Sequence, residues 1–128
     1  IPGTATGVGP NNSLPYTPEW QGNLAMSYRF SVWSGWDFTP RVDAAYTDSQ
    51  FFDAENTQIT AQLDSVTTVN LGLVFSDEVG VWTVGLYAQN LTDELYPVQG
   101  NASLATLGYA EQVYARGREW YVSVNYNF

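Results

Sequence analysis

The sequence has no cysteine, no histidine and no lysine. Without cysteine there is neither a disulfide framework nor a thiolate metal site, and without histidine the usual general base and the commonest transition-metal ligand are missing. A serine nucleophile would need a histidine or lysine beside it, so the common hydrolase arrangements are excluded; the chain is expected to be non-enzymatic and to carry no cofactor. Positive charge is scarce as well. Four arginines stand against thirteen acidic residues, a net charge of -9, which argues against nucleic-acid backbones and anionic membrane surfaces as partners. No run of about eighteen apolar residues exists, so no transmembrane helix is expected. The opening "IPGTATGVGP" lacks the basic and apolar regions of a signal peptide, and any export signal is expected upstream of Ile1.

What is present is aromatic: 16% of the residues, against 13% charged, where an average soluble domain carries about 25% charge. Apolar surface therefore needs a cover. The hydrophobic period is two throughout, and it predicts five strands, over about 20–32, 36–47, 65–75, 81–89 and 118–128, in one domain of 128 residues with no repeat or linker. Even-numbered positions in four of these strands, and odd-numbered ones in the third, are almost all apolar or aromatic, and the opposite face is polar. One apolar face per strand is the mark of antiparallel pairing. The connections after the first and third strands are short, "SVWSGW" and "SDEVG", while the other two are long; residues 1–19 are expected as a further long loop on that same side. Short turns at one end and long loops at the other are the layout of an outer-membrane barrel.

A soluble sandwich could also bury such a face. The position of the aromatics along each strand separates the two cases. Strand centres carry Leu24, Met26, Val42, Ala44, Val69, Leu71, Val84, Leu86, Val122 and Val124, whereas Phe30, Trp36, Phe38, Phe75, Trp82, Tyr126 and Phe128 gather at the short-turn end and Trp20, Tyr46 and Trp120 at the long-loop end. Aromatic girdles flanking an aliphatic band match a bilayer, while a soluble core would centre its largest rings. Charges fall on the polar face except Arg118, which sits at the long-loop edge, where it can snorkel. Five strands are too few to close a barrel, and an open edge in hydrocarbon leaves backbone groups unpaired, so the chain is expected to be part of a larger barrel and its start to lie in mid-loop.

The phrases "SLPYTPEWQGNLAMSYRF", "AAYTDSQFFDAENTQ", "TTVNLGLVF", "WTVGLYAQNLTDELYPVQG" and "ARGREWYVSVNYNF" together resemble the last five strands of TonB-dependent outer-membrane receptors. The "NLTDELY" of residues 90–96 is the most specific piece. One departure stands out: where such receptors commonly read glycine before the last strand, Tyr121 follows Arg118, Glu119 and Trp120, so the lumen wall is expected to be more crowded there.

The resemblance implies an all-β fold, the C-terminal part of a barrel of about 22 strands, with the plug domain absent from residues 1–128. It implies a transporter of a scarce nutrient (siderophore-bound iron, cobalamin, haem or carbohydrate), of which the lack of histidine in these loops disfavours haem ligation. Its implied partners are outer-membrane lipid and lipopolysaccharide, the rest of the barrel and plug, the TonB complex acting through the plug, and the barrel assembly machinery. That machinery would read Trp120, Val122, Val124, Tyr126 and Phe128 on the closing strand. Rival readings are a passive porin or adhesin-type barrel and a secreted all-β binding module.

Candidate site residues fall in two sets. Arg29, Arg41, Asp43 and Asn70 lie on the polar, lumen-facing side, as ligand contacts or as wall pairs facing water. Tyr16, Phe52, Tyr96, Tyr109 and Tyr114 lie in the long loops, for ligand capture or for loop packing. Asp53, Glu55, Asp93 and Glu94 lack the alternating ligand spacing of a calcium loop and are read as solvated loop charges; Asn90 to Asp93 is read as turn chemistry, since Asn and Asp tolerate left-handed backbone.

Overall fold

A computed structural model describes residues 7–33, 35–58, 61–103 and 107–128. Among them the alternating pattern is realised as ten strands: β1 (Gln21–Ser27), β2 (Phe30–Trp33), β3 (Trp36–Thr47), β4 (Gln50–Phe51), β5 (Gln62–Leu63), β6 (Val66–Asp77), β7 (Trp82–Gln89), β8 (Pro97–Ser103), β9 (Tyr109–Tyr114) and β10 (Glu119–Tyr126). One sheet runs in the order β1-β3-β6-β7-β10, with β2 also paired to β3. Neighbours in the sheet are neighbours along the chain, the meander of an up-and-down barrel wall. Among the described residues the outer strands β1 and β10 do not pair with each other, so the sheet is open.

The first expected strand is broken into β1 and β2 at Tyr28 and Arg29. Opposite the break lies Pro40, whose carbonyl accepts the Tyr28 N–H at 3.2 Å but which has no N–H to return. The short turns follow from glycine: Gly35 (φ 82°) sits between β2 and β3, and Gly80 (φ 76°) between β6 and β7, in a left-handed region costly for other residues. In the second turn Asp77 caps the start of β7, its carboxylate accepting the Trp82 N–H at 2.9 Å.

The long connections hold more structure than the sequence suggested. Each contains a hairpin, β4–β5 in one and β8–β9 in the other. By internal packing the chain divides into two compact units. The first comprises the described residues of Ile1–Gly22, Tyr46–Val66 and Leu95–Arg116 and has its own small core of Phe52, Ala61 and Leu63, with Val66, Tyr96 and Ala102 packed against it. The leading segment is laced onto this core: Asn56 exchanges two hydrogen bonds with the backbone of Ser13, at 2.7 and 3.0 Å, and Tyr16 N–H donates to the Phe51 carbonyl at 2.8 Å.

The second unit comprises Asn23–Ala45, Thr67–Glu94 and Gly117–Phe128, the greater part of the meander. Among the described residues its apolar face is exposed along β1 and β10 and half-buried along β6. Leu24 is 72% exposed and Val122 66%, and Met26, Val42, Leu86 and Val124 are exposed with them. Ala44, Val69, Leu71, Leu73, Phe75 and Val84 are half-buried, and Ala88, 1% exposed, is placed by the register between Leu71 of β6 and Trp120 of β10. A water-soluble sandwich would bury this face; a bilayer-facing wall presents it. At the short-turn end the rings touch across strands, Phe30 to Phe38 (6.4 Å between centroids), Phe38 to Phe75 (4.6 Å) and Trp82 to Tyr126 (4.6 Å), so the expected girdle is a set of packed pairs.

Candidate functional site

On the polar face of the second unit, Gly72, Tyr87 and Tyr121 lie side by side across β6, β7 and β10. Arg41 of β3 flanks Gly72, its Cβ 3.8 Å from where a Gly72 side chain would begin. The Tyr87 ring leans back along its own strand over Gly85: a Cβ at Gly85 would collide with the ring and its hydroxyl, and one at Gly72 would meet Cδ1 at 3.3 Å. Two glycines thus give the ring a bed on the sheet. Its cross-strand partner Tyr121 stacks on it, with centroids 4.8 Å apart and planes inclined by 15°. Such a pair adds about 0.5–1.5 kcal/mol beyond the area it buries.

Because Gly72 contributes no side chain, a recess of about 310 Å³ opens here, lined by Arg41, Asp43, Asn70, Tyr87, Gln89 and Tyr121 among others. Arg41 is held by a forked pair of bonds to Asp43, Nε to Oδ2 at 2.8 Å and Nη2 to Oδ1 at 2.6 Å, the strong bidentate geometry of guanidinium and carboxylate. The two residues are two apart on one strand and so share a face. Asn70 accepts the Asn90 N–H on its Oδ1 at 3.0 Å.

The structure therefore brings Arg41, Asp43 and Asn70 together and leaves Arg29 apart, mostly exposed and 4.0 Å from Asp37. Sequence reasoning missed Tyr87, Gln89 and Tyr121 as members of this recess. The signals were there: all three lie on the polar face by parity, and Tyr121 stands where glycine was expected. What parity cannot reveal is the lean of Tyr87 over Gly85.

In the first unit the loop candidates separate. Phe52 is 7% exposed and Tyr96 packs on its cluster. Tyr16 lies against Phe52 at 5.5 Å between centroids yet is exposed, as are Tyr109 and Tyr114 on the β8–β9 hairpin. Of the acidic loop residues, Asp53 accepts the Thr57 N–H at 2.9 Å, and among the described residues no acidic group gathers into a metal site.

The stretch from Asn90 to Glu94 is a closed clamp. Asn90 (φ 48°) is buried, donates from its side chain to the Glu94 carbonyl at 2.9 Å and accepts the Glu94 N–H at 3.0 Å. Asp93 (φ 58°) accepts the Arg118 N–H at 2.8 Å, fastening the loop to the chain as it enters β10. Arg118 itself reaches back to the Leu91 carbonyl at 3.4 Å.

An open antiparallel meander with an exposed aliphatic band, aromatic ends and a polar inner wall defines the wall of an outer-membrane β-barrel. The family model "TonB dependent receptor-like, beta-barrel" matches residues 3–91, and the chain belongs to this family of outer-membrane transport proteins of Gram-negative bacteria, which are transporters rather than enzymes. No curated protein and no solved structure matches the chain.

Proposed function

We propose that the chain is part of an active transporter that captures a scarce nutrient at its loops and admits it with energy relayed by TonB through a plug inside the barrel. The observation that carries this reading is the conjunction of a lipid-type sheet face with loops that form a compact, cored unit of their own, since simple connecting turns need no core. Exposed Tyr16, Tyr109 and Tyr114 form the capture surface; Phe52 and Tyr96 hold it in shape. In the wall, Arg41, Asp43 and Asn70 line the route, and Arg29 stays a solvated wall charge. Strand β10, with Trp120, Val122, Val124, Tyr126 and Phe128 toward lipid, closes the barrel against a strand from elsewhere in the receptor and is read by the assembly machinery. Lipopolysaccharide surrounds the outer girdle.

The test is uptake by cells producing the whole receptor, with siderophore-bound iron, cobalamin, haem and oligosaccharides offered as substrates. Import of one of them should vanish on deletion of tonB. Import that survives the deletion would make the protein a passive porin, and no import at all would favour an adhesin-type barrel.

A further inference from the structure

We propose that the outer face of the Tyr121 ring is the seat for an arginine carried by the strand that closes the barrel against β10; the proposal rests on the reading of β10 as the closing edge. The geometry of the tyrosine pair sets the direction. Tyr121 and Tyr87 are opposite each other in the β10–β7 register, and their rings are nearly parallel, inclined by 15° with centroids 4.8 Å apart. That separation matches the spacing of hydrogen-bonded strands, about 4.7–4.9 Å, so the stack advances by one strand per ring and its axis runs across the sheet. Tyr87 covers one face of Tyr121. The other face points past β10, which ends the sheet order among the described residues, toward the strand that pairs next. Tyr121 is 46% exposed.

Shape and charge select the occupant. The neighbours of Tyr121 on the polar face of β10 are Glu119 and Ser123, neither of which offers an apolar surface to lie over the ring. Cover therefore comes from the residue opposite Tyr121 on the next strand, one strand spacing away as Tyr87 is. A flat group fits a ring face at that distance, which leaves an aromatic side chain or a guanidinium. Charge decides between them. Glu119 is the one ionised side chain on the polar face of β10, and the chain as a whole carries a net charge of -9, so the field at Tyr121 favours a cation. A guanidinium stacks flat on the ring and keeps its edge for water and carboxylate, which an ammonium group does less well. The other end of the same row has its counterpart, where Arg41 flanks Gly72 and Gly72 lies opposite Tyr87. Across the wall the row reads arginine, glycine, tyrosine, tyrosine and, on the closing strand, arginine. A glycine at position 121 would offer no seat.

The experiment is photo-cross-linking in the whole receptor, with p-benzoylphenylalanine placed at Tyr121 and, separately, at Asn125 on the same face. Peptide mapping should find the cross-link from Tyr121 on an arginine of the closing strand, and that from Asn125 further along the same strand. The second cross-link fixes the register by itself, so the residue opposite Tyr121 is identified even where the probe at Tyr121 hinders folding. Heat-modifiable gel mobility confirms that each variant is folded. In urea unfolding from lipid vesicles, Tyr121→Ser and glutamine at the mapped arginine should be coupled: the product of the two single effects on the unfolding constant exceeds the effect of the double variant by about two- to fivefold. Tyr121→Phe keeps the ring face and should keep the coupling. A cross-link from Tyr121 to a plug or a loop, no cross-link from Tyr121 in the folded receptor, or a closing strand with no arginine opposite Tyr121 would overturn the proposal; so would single effects that multiply without coupling. Failure of the closing-edge reading is separable, since the cross-link from Asn125 would then also fall outside any barrel strand.

Discussion

Asp93 does two things with one side chain. It occupies a left-handed backbone conformation (φ 58°) that few residues other than Gly, Asn and Asp accept, and its carboxylate accepts the Arg118 amide at 2.8 Å. Substituting Asp93→Ala removes the acceptor and adds strain, and should destabilise the whole receptor by about 1–2 kcal/mol in urea unfolding from lipid vesicles; Asp93→Asn, which keeps both properties, should stay within about 0.5 kcal/mol of wild type. Equal losses in the two would mean that charge, not the cap, is what matters. Asn127 plays a similar part at the opposite end of the sheet: its side chain donates to the Gly80 carbonyl at 2.8 Å and its backbone N–H to the Val81 carbonyl at 2.9 Å, pinning the end of the chain to the β6–β7 turn. Parity places Asn127 on the polar face but says nothing of this anchor.

At the scale of the element, β10 sits at one end of the sheet order and pairs with β7 from Glu119–Gln89 to Tyr126–Trp82. Phe128 is fully exposed beyond it, touching the Tyr126 ring edge-on at 4.9 Å. In the proposed account Phe128→Asp lowers insertion of the whole receptor into the outer membrane several-fold, measured as the heat-modifiable fraction. Asn125→Asp, on the polar face and free of the Asn127 anchor, has little effect; equal yields would contradict the assignment. The sheet strands were legible because alternation over eight to twelve residues, as in β3, β6, β7 and β10, is a strong signal. The hairpins were not: β4 and β5 are two residues each, and β8, "PVQGNAS", begins with proline and is rich in residues that avoid strands. The break at Tyr28 was hidden for a different reason, since its cause, Pro40, lies on the neighbouring strand. In the recess, Arg41, Asp43 and Asn70 were legible from parity alone, whereas the tyrosine stack depends on glycines in two strands.

At the scale of the molecule, a chain with net charge -9 and 16% aromatic residues resolves into two kinds of stability. One unit is a wall whose apolar face is largely exposed among the described residues. The other has a small core centred on Phe52, and because that core is so small a single truncation should open it: Phe52→Ala removes about 3–5 kcal/mol of packing and should render the loops cleavable by added protease in intact cells while the heat-modifiable barrel survives. Loops as resistant as wild type would contradict a cored unit.

The central claim is that the even-numbered face of β10 meets lipid, and single spin-labelled cysteines probe it with no native thiol of this chain to compete for the label. With labels placed one at a time from Tyr121 to Asn125 in the whole receptor in bilayers, collision with oxygen, which dissolves in lipid, should peak at Val122 and Val124 and fall at Tyr121, Ser123 and Asn125. A water-soluble nickel chelate should not reach the even positions. Chelate access to Val122 and Val124 equal to that at Ser123 and Asn125, with no alternation, would contradict the account.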